Sequence, residues 1–180
     1  MKRHDPAPGE RLAFATPADL QVCRRLHERH GTTYAFATRR FSPALRDRVH
    51  ALYGFVRLPD EWVDNPTRYG ITNVRDALTA FREELRRGVV GERPEEPVLR
   101  AFCDLMKETG MGLEEPECFL DAMEMDLNRT RYATYEDLRS YMRGSACAVG
   151  LMMLGVLDCD FSSPELREPA CALGEAMQLT

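Results

Sequence analysis

Apolar residues recur along this chain every three to four positions, and the segments that carry the period open with similar punctuation. Thr16-Pro17-Ala18-Asp19 puts a capping hydroxyl, a first-turn proline and an acid ahead of a helix. Ser42-Pro43 repeats the device before Leu45, Val49, Leu52, Tyr53 and Val56, which share one helix face. Val74, Ala77, Leu78, Phe81 and Leu85 form a further stripe, closed by Gly88. Another runs through Val98, Ala101, Phe102, Leu105 and Met106, opened by Pro97 and stopped by Gly110. Pro116 opens a segment with Phe119, Leu120, Met123 and Leu127. Thr134 to Asp137 resembles a capping box with Asp in place of Glu or Gln, and it starts a long helix through Leu138, Tyr141, Met142, Val149 and Met152. Ser163-Pro164 opens a last helix that still carries its period at Thr180.

The pattern predicts about seven helices and no strand, hence an all-α fold. It places one domain over residues 16–180, after a flexible segment 1–15, with irregular stretches at 65–72 and 88–96. Because the last stripe has no cap or breaker at Thr180, the chain reads as the front part of a longer helical domain, its C-terminal helices missing.

Composition narrows the function more than the fold. The 180 residues carry a net charge of −5, which argues against a nucleic-acid binder that relies on neutralising phosphates. No apolar run reaches the ~20 residues of a membrane span, and MKRHDPAPGE has no apolar stretch after its basic start. A soluble, cytoplasmic chain is the expectation. All of the 24 basic residues are Arg except Lys2 and Lys107; codon bias accounts for this, and bidentate phosphate binding is the alternative. The six cysteines contain no C-x-x-C pair and read as small buried hydrophobes rather than staples or zinc ligands.

The segment most charged with chemistry is residues 53–64, YGFVRLPDEWVD. Asp60 and Asp64 are one helical turn apart, with Cβ atoms ~5–6 Å from each other. At an effective dielectric near 20, two full charges at that distance repel by about 3 kcal/mol, so a partly buried pair raises a pKa or recruits a cation. Oxygen ligands with open positions suit Mg2+, which takes one or two carboxylates and completes its shell with substrate phosphates. Arg57 lies on nearly the same face and can neutralise the acids or grip a phosphate. Pro59 removes a helix hydrogen bond just before them and predicts a kink. By itself the pair is also compatible with a solvated acidic helix end. A second acidic cluster, Asp121 and Asp126, diverges by over 100° and reads as structural. Gly144 and Gly150, with small residues between, make a smooth helix face that either another helix or a long apolar ligand approaches closely. Asp47 and His50 have the spacing of a di-iron half-motif, but no matching set exists in the chain.

At these residues the sequence resembles the squalene/phytoene synthase family, the head-to-head prenyl diphosphate coupling enzymes. His30-Gly31-Thr32-Thr33-Tyr34 resembles the family's early His–Ser-x-Ser-Phe element, and residues 46–64 its first aspartate-rich motif. Residues 121–132 resemble its GM-x-MDL…RY element, residues 141–153 its small-residue helix, and residues 173–180 the helix entering its second aspartate-rich motif. The resemblance implies an isoprenoid-synthase helical bundle around a central cavity that binds two prenyl diphosphates. It implies Mg2+ on Asp60 and Asp64; diphosphate contacts from Arg57, His30 and Thr33; and Tyr53 and Tyr141 near the reacting carbons. It further implies a wall of Met123, Val149, Gly150 and Gln178 along the prenyl tails. Geranylgeranyl diphosphate to phytoene is the favoured coupling, with farnesyl diphosphate to squalene or dehydrosqualene the other. Work at a membrane surface is implied, without an anchor.

Three departures from the pattern stand out. Thr32-Thr33 replaces the serine-rich element. Residues 142–147 read MRGSAC where many members have an aromatic–Val-Ala-Gly stretch. The second aspartate-rich motif would begin after Thr180, so the chain alone is expected not to turn over. A non-catalytic helical module serving as an assembly partner in isoprenoid metabolism is the alternative reading.

Overall fold

Ser42 Oγ accepts the Leu45 N–H and Pro43 fills the first turn, and from this cap the longest helix of the protein runs 22 residues. In the computed structural model, which describes residues 14–128, 131–160 and 163–179, it is the third helix. Among the described residues the elements are α1 (Pro17–His30), α2 (Thr32–Thr38), α3 (Pro43–Asp64), a 3-10 turn (Pro66–Tyr69), α4 (Val74–Val89), α5 (Pro97–Thr109) and α6 (Glu114–Asp126). They continue with α7 (Tyr135–Met142), a π-helical turn (Arg143–Cys147), α8 (Ala148–Val156) and α9 (Pro164–Gln178). No strand occurs among them.

The caps predicted at Thr16, Ser42 and Thr134 form, while Ser163 makes no side-chain cap bond at the start of α9. Thr16 and Asp19 make a reciprocal capping box at α1, and Thr134 Oγ1 accepts the Asp137 N–H at α7. Of the expected flexible segment 1–15, only Phe14 and Ala15 are described, and both donate backbone N–H groups to the buried Asp104 carboxylate. Helix α3 continues through Pro59 rather than ending there.

Phe55 on α3 anchors the core. It stacks on Phe102 of α5 at 3.8 Å between ring centroids, and lies within 6 Å of Phe81 on α4 and of Phe119 on α6. Such ring pairs add about 1 kcal/mol each beyond the area they bury. With α1, α5, α6 and α8 packed around it, α3 has one face fixed in the core while its C-terminal half carries the acids.

Four local points go beyond or against the sequence reading. The stretch 31–41, for which the pattern gave no element, contains α2, a short helix in which small and aromatic residues alternate. The stretch 65–72 holds a 3-10 turn closed by Gly70 in the left-handed region at φ 67°. The long helix from Thr134 forms and runs on to Val156, with a π-turn inside it where Gly144 meets the α6 backbone: a Cβ there would lie 2.5 Å from the Cys118 carbonyl oxygen. Such turns insert one residue and re-aim the side chains around them.

The fourth point, a correction, concerns the cysteines: Cys147 and Cys171 form a disulfide between the π-turn and α9. Around it the two segments cross closely. A Cβ on Gly150 would lie 2.4 Å from the Ala170 carbonyl oxygen, and one on Gly174 would lie 2.5 Å from that of Ala146. The close approach expected at the small residues is therefore made here by helix backbone.

Gly144→Ala is expected to destabilise the protein by about 2 kcal/mol, because both atoms it would strike belong to α6 and neither is a flexible side-chain end. Urea denaturation at constant m-value measures it; an unchanged midpoint would contradict the packing described.

Candidate functional site

One turn of α3 sorts its acids onto two sides. Asp60, one-third exposed at 33%, is bonded by Arg57 Nη1 at 2.5 Å. Glu61, the next residue, is only 2% exposed and points inward. Its Oε1 takes Arg57 Nη2 at 2.8 Å and His30 Nδ1 at 3.0 Å, and its Oε2 takes Asn65 Nδ2 at 3.4 Å. Arg68 stands 3.7 Å away from the same oxygen. Asp64, a turn beyond Asp60, is exposed.

Burial pushes the Asp60 carboxyl up to about 6, against the pull of Arg57 and with help from the negative charges of Asp64, Glu61 and Asp126. The last of these comes from another helix. Asp126, at the end of α6, accepts the Tyr141 hydroxyl of α7 at 2.7 Å. Burial raises its carboxyl too, with the Tyr141 bond opposing and Asp64 adding repulsion. Burial and the Asp126 charge together push the Tyr141 phenol well up, so it stays a donor at neutral pH. The C-terminal ends of α3 and α6 therefore share one negative field.

Tyr53 occupies a slot made by α1. The His27 ring lies on it nearly parallel, 4.1 Å between centroids, and a Cβ on Gly31 would come within 2.8 Å of its ring. His27 Nδ1 is 3.0 Å from His50 Nδ1, so one donates and the other accepts. Burial holds both imidazoles down to about 4, leaving them neutral at pH 7. Burial also raises the Tyr53 phenol.

Two nitrogens at the centre of this region, His30 Nε2 and Arg57 Nε, are buried without a hydrogen-bond partner. Unmet buried donors and acceptors are costly and call for a ligand or water.

The structure thus gathers His30, Tyr53, Arg57, Asp60 and Asp64 where α1 meets the end of α3, and links Tyr141 to them through Asp126. The remaining candidates have other settings. Thr33 is exposed on α2, and Gln178 is exposed near the end of α9. Met123 is 3% exposed inside the core, and Val149 packs against it. Gly150 faces the Ala170 carbonyl. Asp121 and Asp126 diverge as expected, Asp121 pairing with Arg82, but Asp126 belongs to the site and not only to the scaffold. The signal that could have found it is the MDL…RY resemblance, which brackets both Asp126 and Tyr132. Glu61 had no such signal, because its inward direction depends on where α1 packs.

Residues 27–180 match the squalene/phytoene synthase family. The chain belongs to that family. It is 28% identical to 15-cis-phytoene synthase of Synechocystis over 97% of its own length and 54% of that protein. It is 31% identical to phytoene synthase of Rhodobacter capsulatus over 91% of its length and 47% of that protein. The crystal structure of a squalene synthase from Alicyclobacillus acidocaldarius superposes with a TM-score of 0.79 at 30% identity, covering 89% of this chain and 59% of that one. The chain thus spans about half the length of these family members, and its all-α architecture is theirs.

Asp60 makes a pH-dependent contribution to stability with a definite sign. Its carboxyl is raised from 3.8 to about 6, so the folded state holds the proton more tightly, and stability falls as pH rises through that window. A shift of about two units corresponds to about 3 kcal/mol. Solvent screening at a partly exposed carboxyl reduces this to about 1 kcal/mol. Asp60→Asn should therefore be about 1 kcal/mol more stable than the parent at pH 8 and equal to it at pH 3.5, as read from urea midpoints. A variant less stable at pH 8 would show that the Arg57 pair outweighs desolvation.

Proposed function

We propose that this chain supplies the first aspartate-rich half of a site for head-to-head coupling of two prenyl diphosphates, with geranylgeranyl diphosphate to phytoene favoured. The observation that carries the reading is the Asp60–Asp64 face of α3, with Asp60 partly buried near Asp126 and paired with Arg57, and Asp64 exposed one turn on. Its kinship with phytoene synthases supports the choice of substrate. The likeness to a squalene synthase favours a second reading, farnesyl diphosphate as substrate.

The donor set fits Mg2+: Asp60 and Asp64 offer oxygen only, on one helical turn, and the surroundings of Asp60 disfavour its ionised form. No group of three or more acidic, imidazole or thiol side chains able to hold a metal occurs among the described residues, so further oxygens must come from diphosphate, water or other acids. When bound, Mg2+ supplies charge neutralisation for the departing diphosphate.

The other roles belong to the chain's own side chains. Arg57 already touches Asp60 and has a second, buried nitrogen free, so it can hold a diphosphate oxygen beside that acid. Tyr53, gripped between His27 and Gly31, and Tyr141, held by Asp126, present fixed rings that can stabilise positive charge in an allylic fragment. A membrane-surface location belongs to the same reading; no described helix is long and apolar enough to cross a membrane.

Calorimetry with a geranylgeranyl thiodiphosphate tests the proposal. The 180-residue chain is expected to bind it only with Mg2+ present, and Asp60→Asn and Asp64→Asn each to lose about tenfold in affinity, or about 1.4 kcal/mol. Because its described acids make no complete metal cage, the chain by itself should form no phytoene from labelled geranylgeranyl diphosphate. Binding that is indifferent to Mg2+ and to both substitutions would overturn the site assignment.

A further inference from the structure

Of the three acids in the Asp60-Glu61-Trp62-Val63-Asp64 stretch, one behaves unlike the others, and this inference rests on the functional reading just given. Glu61 is almost completely buried, while Asp60 and Asp64 reach solvent. A buried carboxylate persists only where donors meet it, and Glu61 has them from three elements: α1 through His30, its own helix through Arg57, and the turn after α3 through Asn65, with Arg68 close by. These bonds hold its carboxylate toward α1 and the turn after α3, while Asp60 and Asp64 keep their solvent-reaching side.

We infer that Glu61 is a positioning residue, not a metal ligand: it anchors Arg57 and His30 beside Asp60, so that the Arg57 guanidinium stays in place to meet a diphosphate oxygen. The guanidinium of Arg57 divides its two ends between acids, Nη2 to Glu61 and Nη1 to Asp60. The Asp60 end is the more exposed and the one a cation would compete for. Were Asp60 to hold a metal ion, Nη1 would lose that partner and be available to a phosphate oxygen, while Nη2 would stay tied to Glu61. Without that tie, the whole guanidinium would be free to follow Asp60 or swing into solvent.

The geometry at His30 sets its tautomer. Its Nδ1 is 3.0 Å from Glu61 Oε1 and 3.3 Å from Arg57 Nη2. A lone pair on Nδ1 would oppose the carboxylate's lone pairs, so the proton sits on Nδ1 and is donated to Glu61. That leaves Nε2, buried and unpaired, as an acceptor, able to take a hydrogen bond from a water or hydroxyl but not to donate one to a diphosphate oxygen. The side chain is 10% exposed, so packing and Glu61 together fix its direction.

Three measurements on the 180-residue chain test this. Nitrogen-15 NMR of the parent should find His30 protonated on Nδ1; the opposite tautomer overturns the inference. Glu61→Gln, which keeps the shape and the fold by circular dichroism, should lower affinity for inorganic pyrophosphate in the presence of Mg2+ by about tenfold. The same variant should bind Mg2+ alone within twofold of the parent, whereas Asp60→Asn binds it more weakly. Loss of Mg2+ affinity in Glu61→Gln equal to that in Asp60→Asn would make Glu61 a ligand and overturn the proposal. Unchanged pyrophosphate affinity in Glu61→Gln overturns it as well, while leaving the functional reading standing. A parent chain that binds no pyrophosphate with Mg2+ overturns both.

Discussion

A carboxylate withdrawn from water beside other carboxylates is in an environment that only a proton or a cation relieves, and this condition at Asp60 governs the whole site. The helix that carries it cannot turn the acid outward. Phe55, little more than a turn earlier on α3, is locked against Phe102, Phe81 and Phe119, so the rotation of α3 is set by the core. Given that rotation, Asp60 and Asp64 face the end of α6 and meet the field of Asp126, while Glu61 faces α1. A core built for packing thereby imposes an electrostatic demand. The arginine beside Asp60 answers it only partly, since the carboxyl still titrates above its ordinary value.

This arrangement implies a conflict between stability and chemistry of a familiar kind. Replacing Asp60 would relieve repulsion and, on the proposed reading, remove an oxygen ligand for Mg2+. The buried Glu61 shows the opposite solution on the same turn. There the charge is met by Arg57, His30 and Asn65, so it draws the surrounding groups together rather than waiting for a ligand.

How far the sequence discloses this depends on whether a feature is local. Caps at Thr16, Ser42 and Thr134, the apolar stripes, and the shared face of Asp60 and Asp64 follow from spacing within one helix, and all were legible. The Asp126–Tyr141 bond, the inward turn of Glu61 and the Cys147–Cys171 disulfide join different elements. Periodicity says nothing about which helices become neighbours, and a Cys spacing of 24 residues carries no pattern. The π-turn inside the long helix was hidden for the same reason: Gly144 lies against the Cys118 carbonyl of α6, a contact between elements that spacing along one helix does not reveal.

The glycines also settle which surfaces are left for an apolar ligand. Small residues on a helix admit either backbone or a lipid chain, and the sequence could not choose between them. In the fold, Gly144 is taken by the Cys118 carbonyl, Gly150 by that of Ala170, and Gly174 approaches that of Ala146. Each contact is so close that a methyl group would not fit, so at these positions it is backbone that uses the space the glycines leave. The tight crossing then has a different consequence for the site. By joining α9 to the π-turn through two glycine contacts and a disulfide, it fixes the turn that follows Tyr141, and with it the hydroxyl that Asp126 holds.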